Sequence, residues 1–410
     1  MCSITINQMT MKNSNQYLYK LGLLTLIYGL FTMPSYAEQT EVEQLEENLK
    51  IAETVKIYGK GTLQGGYSME NYPDKYLFSP AFILANQKSN PKPKLVFDLA
   101  ATLGLKKTVF LNEKDVLLNM EIGLNKEGKA KIKKLCGTHS NWVIGLATSS
   151  FANLDVLPSL LGTLPNSAVA SEAIQIQWKQ QIDPNYSYAI GFEEASKFDL
   201  DPAEKDEDKK KKKNEQPNNG FPFALTGNIR FNYPGTLGHV QLGSLGRALS
   251  YYHKTDKKSY STMGFGVNLG TQFNVTPEKT ILKTSAVYGQ GIGGYIFDLA
   301  VLEKEVNTAY INPASKELKT VNAWGLYGAL EYRWVPEVRF TLSGGSLATI
   351  NSQDRDVNAY KMGYYAAANV SYHPTDQFNF GIEYLYGNRT NLNNKDSFSN
   401  RIQTIAVYKF

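Results

Sequence analysis

The residues best able to do covalent chemistry in this chain are few. There are four histidines, His139, His239, His253 and His373, and two cysteines, Cys2 and Cys136. The strand pattern puts three of the histidines at or beside tight turns and His253 in a longer loop. None then shares a strand edge with an Asp, Asn or Ser partner, as a triad or an acid–base pair requires. No His/Cys spacing suits a metal ion. Gly289-Gln290-Gly291-Ile292-Gly293 has the composition of a phosphate loop. No βαβ unit surrounds it, and a flat strand lying close to its neighbours accounts for it. Neither an enzyme nor a cofactor is expected. The chemistry that remains is electrostatic. If apolar alternates of each strand face outward, Lys179, Arg230, Arg247, Lys283, Arg333, Arg339, Lys361 and Arg401 face inward. Asp98, Glu121, Glu331 and Glu383 face inward with them. Eight cations against four anions give an interior attractive to anions, and arginine's fork suits carboxylates. Against this, pairs such as Arg333 and Glu331 can neutralise each other, and one bulge would reverse every later assignment.

Such inward charges need a closed wall, and the composition fits one. Aromatic residues make up 12%, with 26 Tyr and 33 Gly, while mean hydropathy is negative at −0.33. That excludes a helical membrane protein. In a transmembrane barrel only alternate residues meet lipid, and tyrosines have a place at the two interfaces. The net charge of +5 falls when segment 1–37 is removed, since its two lysines leave 41 basic against 38 acidic groups. That balance, with no basic recognition helix, argues against nucleic acid. Cys136 alone would remain, too few for an internal disulfide.

Segment 1–37 reads as a cleaved signal peptide. Lys12 and Lys20 precede the apolar run Leu21–Phe31, and Ser35-Tyr36-Ala37 is a small-x-small cleavage site. The apolar run is too short for a spanning helix, and Met11 is a plausible start. Segment 38–55 follows as a short periplasmic helix, with Val42, Leu45, Leu49 and Ala52 at coiled-coil spacing. It suits either a solvated tether or an oligomerising helix.

From residue 56 to 410 period-two alternation takes over. Ala173–Ile182 sets Ile174, Ile176 and Trp178 against Gln175, Gln177 and Lys179. The last segment, Arg401–Phe410, alternates to its final residue, and Tyr408 with Phe410 forms the C-terminal signal read by the barrel assembly machinery. Fifteen such segments stand out, but single-chain bacterial barrels have even numbers. A polar turn at Thr138–Asn141 splits 128–151 into two strands and gives an all-β, 16-stranded antiparallel barrel. Short Pro-bearing turns then fall on the periplasmic side and long loops outside: 71–92, 149–172, 196–220, 250–260, 298–315 and 391–398. The loop 149–172 carries Asp155 and a run of leucines that needs a covering surface. It either folds into the lumen as a constriction or packs on a neighbouring subunit. Lys209–Lys213, after an acidic block, reads as a solvated tip or a contact for lipopolysaccharide phosphates.

Three stretches carry a resemblance to the DcaP-like trimeric porins. The acidic helix 38–55 precedes Val55-Lys56-Ile57-Tyr58-Gly59. Asn141-Trp142-Val143-Ile144-Gly145 leads through Phe151 into Leu154-Asp155-Val156-Leu157-Pro158. Tyr288–Ile296 is similar to a family motif whose arginine is replaced here by Gly294. The resemblance implies a homotrimer in the outer membrane that passes dicarboxylates and similar small anions. The expectation is therefore an outer-membrane porin for passive diffusion of small hydrophilic, preferably anionic solutes, with lipid and lipopolysaccharide as surroundings. The other class considered is a non-conducting barrel acting as adhesin or structural anchor, for which the lumen would be closed.

Overall fold

The computed structural model describes residues 55–410, except 71, 75–76, 86–93, 112–113, 125–128, 196–222, 254–257, 303–306, 313–314, 316 and 351–354. The leader expected over 1–37, the helix expected over 38–55 (save Val55) and the Lys209–Lys213 run lie outside the described residues, as does the side chain of His253.

Among the described residues eighteen strands follow in order: β1 (Lys56–Ser68), β2 (Lys94–Leu111), β3 (Lys114–Leu124), β4 (Ala130–His139), β5 (Trp142–Thr148), β6 (Glu172–Gln181), β7 (Tyr186–Glu194), β8 (Phe223–Asn232) and β9 (Gly238–His253). They continue as β10 (Lys258–Thr276), β11 (Thr280–Gln290), β12 (Ala309–Ile311), β13 (Leu318–Thr320), β14 (Asn322–Val335), β15 (Val338–Ile350), β16 (Tyr360–Tyr372), β17 (Phe378–Asn391) and β18 (Asp396–Lys409). Sixteen of them close a barrel in which each pairs with its neighbours in sequence, and β1 pairs with β18. The remaining two, β12 and β13, form a hairpin inside the loop 291–321.

Closure follows from the alternation itself. On β6, Ile174 and Ile176 are 59% and 50% exposed, while Gln175 and Gln177 are 3% and 2%. An apolar outside and a polar inside is the reverse of a soluble sandwich and suits lipid around an aqueous lumen. Aromatic pairs sit toward the periplasmic ends of strands, among them Trp142–Trp178, Tyr186–Phe231 and Phe378–Tyr408, each with ring centroids 4.8 Å apart. The tyrosine-rich composition thus serves an interfacial belt. The hidden turn is present, for β4 ends at His139 and β5 begins at Trp142, with Ser140 between them at φ 50°.

The last residue takes part in the closure. Gly59 N–H donates to the Phe410 carbonyl at 3.0 Å, and Phe410 N–H to the Gly59 carbonyl at 3.1 Å. A Cβ on Gly59 would stand 2.6 Å from the Phe410 ring and 2.5 Å from the Thr102 carbonyl, so only glycine lets that ring lie there.

One expectation changes here. The glycine-rich stretch is not a continuous strand: β11 stops at Gln290, and Gly291 turns with φ 71°. A 3-10 turn (Gly293–Tyr295) and a helical turn (Phe297–Ala300) follow. Gly293 packs under Asn307, whose carbonyl a Cβ would meet at 2.2 Å.

Candidate functional site

The lumen is shaped by the segment between β5 and β6, residues 149–171, which folds inward along the wall. Its polar backbone needs partners away from water, and the inward side chains of the wall supply them in sequence. Asn228 of β8 donates to the Ser150 carbonyl (2.8 Å), Gln241 of β9 to Ala152 (3.1 Å) and Asn268 of β10 to Phe151 (3.1 Å). Lys283 of β11 donates to the Leu157 carbonyl at 2.9 Å, and Arg339 of β15 to Ser159 Oγ at 2.9 Å. Glu331 of β14 accepts the Ser159 N–H at 2.8 Å. Glu383 of β17 accepts the Leu161 N–H at 3.0 Å together with side-chain amides of Asn369 (2.9 Å) and Gln403 (2.7 Å). Asn166 donates to the Gly363 carbonyl of β16 at 3.0 Å.

The leucines and aromatics of this segment are covered by the same wall. Phe151, Ala152 and Val169 join Leu245, Val287, Ala323 and Leu347, which point inward from β9, β11, β14 and β15. Two other external loops add to the filling. The first contributes Ala81, and the sixth contributes Ile292, Tyr295, Ile296 and Leu299. This part of the lumen is therefore packed like a protein core.

The rest of the wall is uncovered. Among the described residues, no hydrogen bond of 149–171 goes to β2, β3 or β4, and Asp98, Glu121, Lys134 and Cys136 there stay partly exposed. Two cavities flank the constriction on this side. One of about 490 Å³ lies toward the outside and includes Phe82, Lys131, Glu172, Glu194, Tyr295 and Phe297. One of about 630 Å³ lies toward the periplasmic turns and includes Asn141, Asp155, Lys179, Gln181, Tyr188 and Arg230.

The charged residues named from sequence divide accordingly. Arg230 and Asp155 meet at 2.6 Å below the constriction, with Arg230 also donating to Asn232 at 3.0 Å. Lys283 and Arg339 share Glu331, at 3.2 and 3.8 Å. Arg333 stands near the periplasmic turn of His373. Burial, with Arg339, Lys409 and Arg333 nearby, holds that imidazole below its ordinary pKa. Lys179, Asp98 and Glu121 stay on the uncovered wall, whereas Glu331 and Glu383 are sealed beneath the constriction segment. Arg247 is sealed too, with its guanidinium over the Tyr295 ring at 5.8 Å. Arg401 is 1% exposed, stacked on Tyr72 (4.7 Å) and Phe78 (5.6 Å) and bonded to Ser68 and the Asp74 carbonyl. It therefore anchors the first external loop instead of facing the channel water. Lys361 occupies a register shift between β16 and β17 and binds Asn394 at 2.6 Å, at the external rim and not on the lumen wall. A bulge defeats the alternation rule at that position.

Sequence reasoning missed other residues. His239 contacts Asn153 at 3.2 Å, His373 contacts Ser371 at 3.1 Å and His139 contacts the Asp115 carbonyl at 3.0 Å, so three histidines do have polar partners. On the uncovered wall, Lys60, Lys131, Lys133 and Lys134 also face the lumen. The last three were obscured because Lys133 is the extra residue of a bulge: Glu121 pairs with Lys134, and Ile122 pairs with Ile132.

A barrel whose third external loop folds inward and pins itself to the opposite wall is the architecture of a diffusion channel. Residues 107–410 match the model of the DcaP outer membrane protein family. The chain belongs to that family. Among solved structures, the outer membrane channel DcaP of Acinetobacter baumannii is similar, with a TM-score of 0.72 and 19% identity over 87% of this chain and 97% of that one. The anion-selective porin from Comamonas acidovorans is similar in fold at a TM-score of 0.57, with 10% identity over 87% and 99% of the two chains. OprB of Pseudomonas putida is similar at 0.53, with 10% identity over 93% and 100%. No curated protein sequence matches. This DcaP-family barrel is an outer-membrane porin, and its place is the bacterial outer membrane.

Proposed function

We propose that this DcaP-family porin passes small hydrophilic solutes by passive diffusion with a preference for anions, dicarboxylates among them. The observation that carries this reading is the uncovered wall, where Lys60, Lys131, Lys133, Lys134 and Lys179 outnumber Asp98, Glu121, Glu172 and Glu194. Near low-dielectric walls an excess of one sign concentrates the opposite ion. The family resemblance supports a homotrimer, reached after cleavage behind Ala37 and assembly through the signal at Tyr408 and Phe410. Its outer girdle then meets lipid and lipopolysaccharide.

The test is the zero-current potential of the purified protein in a planar bilayer under a potassium chloride gradient. Chloride is expected to carry most of the current, and Lys179→Glu to shift the potential toward potassium. Cation selectivity of the unaltered protein would contradict the preference. A protein that inserts without conducting would favour the structural anchor.

A further inference from the structure

The lumenal cations are of two kinds, and only one kind is at liberty to bind a solute. Of the guanidiniums, Arg230 is engaged by Asp155 and Asn232, and Arg339 by Glu331 and Ser159, while Arg333 stands away from this wall near His373. Arg247, Arg389 and Arg401 are buried among loop residues. The ammoniums of the uncovered wall are arranged otherwise. The β4 bulge places Lys131, Lys133 and Lys134 on the lumen side together, where strict alternation would have allowed two of them. Gly123 of β3 makes room for this, since a Cβ there would lie 2.6 Å from Lys133 Cε. Lys60 on β1 lies within electrostatic reach of Lys133 and Glu121. Glu172 lies within reach of Lys131, Lys133 and Lys134, and Cys136 within reach of Lys134 and Lys179. Lys131 borders the outer cavity and Lys179 the inner one, so the series links both sides of the constriction. Among the described residues, none of these five lysines forms an ion pair within 4 Å.

We propose that this lysine-lined wall is a selectivity site for compact polyvalent anions, inorganic phosphate and phosphomonoesters, in preference to planar carboxylates. The inference rests on the anion reading above and narrows it. A planar carboxylate is matched by a guanidinium fork, whereas lysine is a compact point charge with three rotatable donors. The three charges of the bulge, with Lys60 in reach of Lys133, suit a tetrahedral dianion whose oxygens point in different directions. The two carboxylates within the cluster, Glu121 and Glu172, limit the depth of the well, and conduction requires binding weak enough to release.

The test uses the full mature protein in planar bilayers, with chloride current titrated by inorganic phosphate or by succinate at pH 7.5. Phosphate is expected to reduce the current at a lower concentration than succinate. In Lys131→Gln/Lys133→Gln/Lys134→Gln the half-blocking phosphate concentration should rise roughly tenfold, the lower end of what local charge contributes to ion accumulation. Lys179→Gln, a single change outside the bulge, should raise it less and guards against a misfolded triple variant. Equal potency of the two anions overturns the proposal, as does an unchanged phosphate titration in both variants. No phosphate block in a channel still selective for chloride overturns this site alone. Cation selectivity would overturn the anion reading together with it.

Discussion

Replacing Glu383 with alanine should widen the channel and lower the stability of the barrel together. The carboxylate is fully buried and holds the Leu161 N–H, the Asn369 amide and the Gln403 amide at 2.7–3.0 Å. Gln403 also donates to the Leu161 carbonyl, so Leu161 is fixed through both backbone groups. Alanine leaves the buried Leu161 N–H without an acceptor, at about 1–3 kcal/mol. It also takes one partner each from the Asn369 and Gln403 amides, which keep the Ser159 and Leu161 carbonyls. The cheapest relief is for the segment to leave the wall and let water in. Single-channel conductance is therefore expected to rise and to become noisier, with a lower unfolding temperature in detergent. Glu383→Gln should lie between the two, since its oxygen still accepts. An unchanged conductance in Glu383→Ala would mean that the segment is held chiefly by its apolar face.

Asp298→Asn should remove a pH dependence from the external loops. Asp298 sits in the sixth loop, wholly buried, and accepts from Ser79 Oγ of the first loop at 2.6 Å. Tyr360 Oη stands 3.5 Å away. Beside them, Phe297 N–H donates to the Ala168 carbonyl and Asp298 N–H to the Asn166 carbonyl, which ties in the constriction segment. Arg389 is the nearby cation and holds the Ala81 carbonyl. Burial pushes the Asp298 carboxyl up to about 7, against the opposing pull of its hydrogen bonds and of Arg389. A carboxyl with a raised pKa binds its proton more tightly in the packed state than in the open one. The packed loops gain full stability from it below the ordinary value near 4, and lose that stability as pH rises from there to about 7. Resistance of the loops to protease should thus fall across that window and stay level above it. In Asp298→Asn, a neutral isostere, the fall should vanish and protection should stay near its acidic level. A fall of the same size in the variant would assign the effect to another group.

Much of the wall was legible from the chain because a barrel writes its geometry in a period of two. Ile174, Ile176 and Trp178 alternate with Gln175, Gln177 and Lys179 without interruption, and β6 follows them. Parity also exposed the turn after His139, which has little signal of its own. The interior was harder to read. Leu245, Val287 and Leu347 point inward against loop residues, and no local rule foresees an apolar patch inside an aqueous lumen. Lys131–Lys134 and Lys361 sit at bulges, where one extra residue breaks the period. Whether Arg401 faces the channel or anchors a loop depends on Tyr72 and Phe78, more than 320 residues away in sequence. Such partners are chosen by the closed barrel and not by the neighbouring residues.

The central claim is that an open, positively charged passage runs beside the pinned segment along β2–β6. Cys136 reports on it directly, since it is the one cysteine among the described residues and it is partly exposed between Lys134 and Lys179. The decisive measurement is the change of single-channel conductance when an anionic methanethiosulfonate is applied, compared with a cationic one of similar size. The account predicts that both reagents react, that the anionic one reacts faster, and that its attachment lowers the conductance. A thiol unreactive to both reagents, or one that reacts faster with the cation, would contradict it.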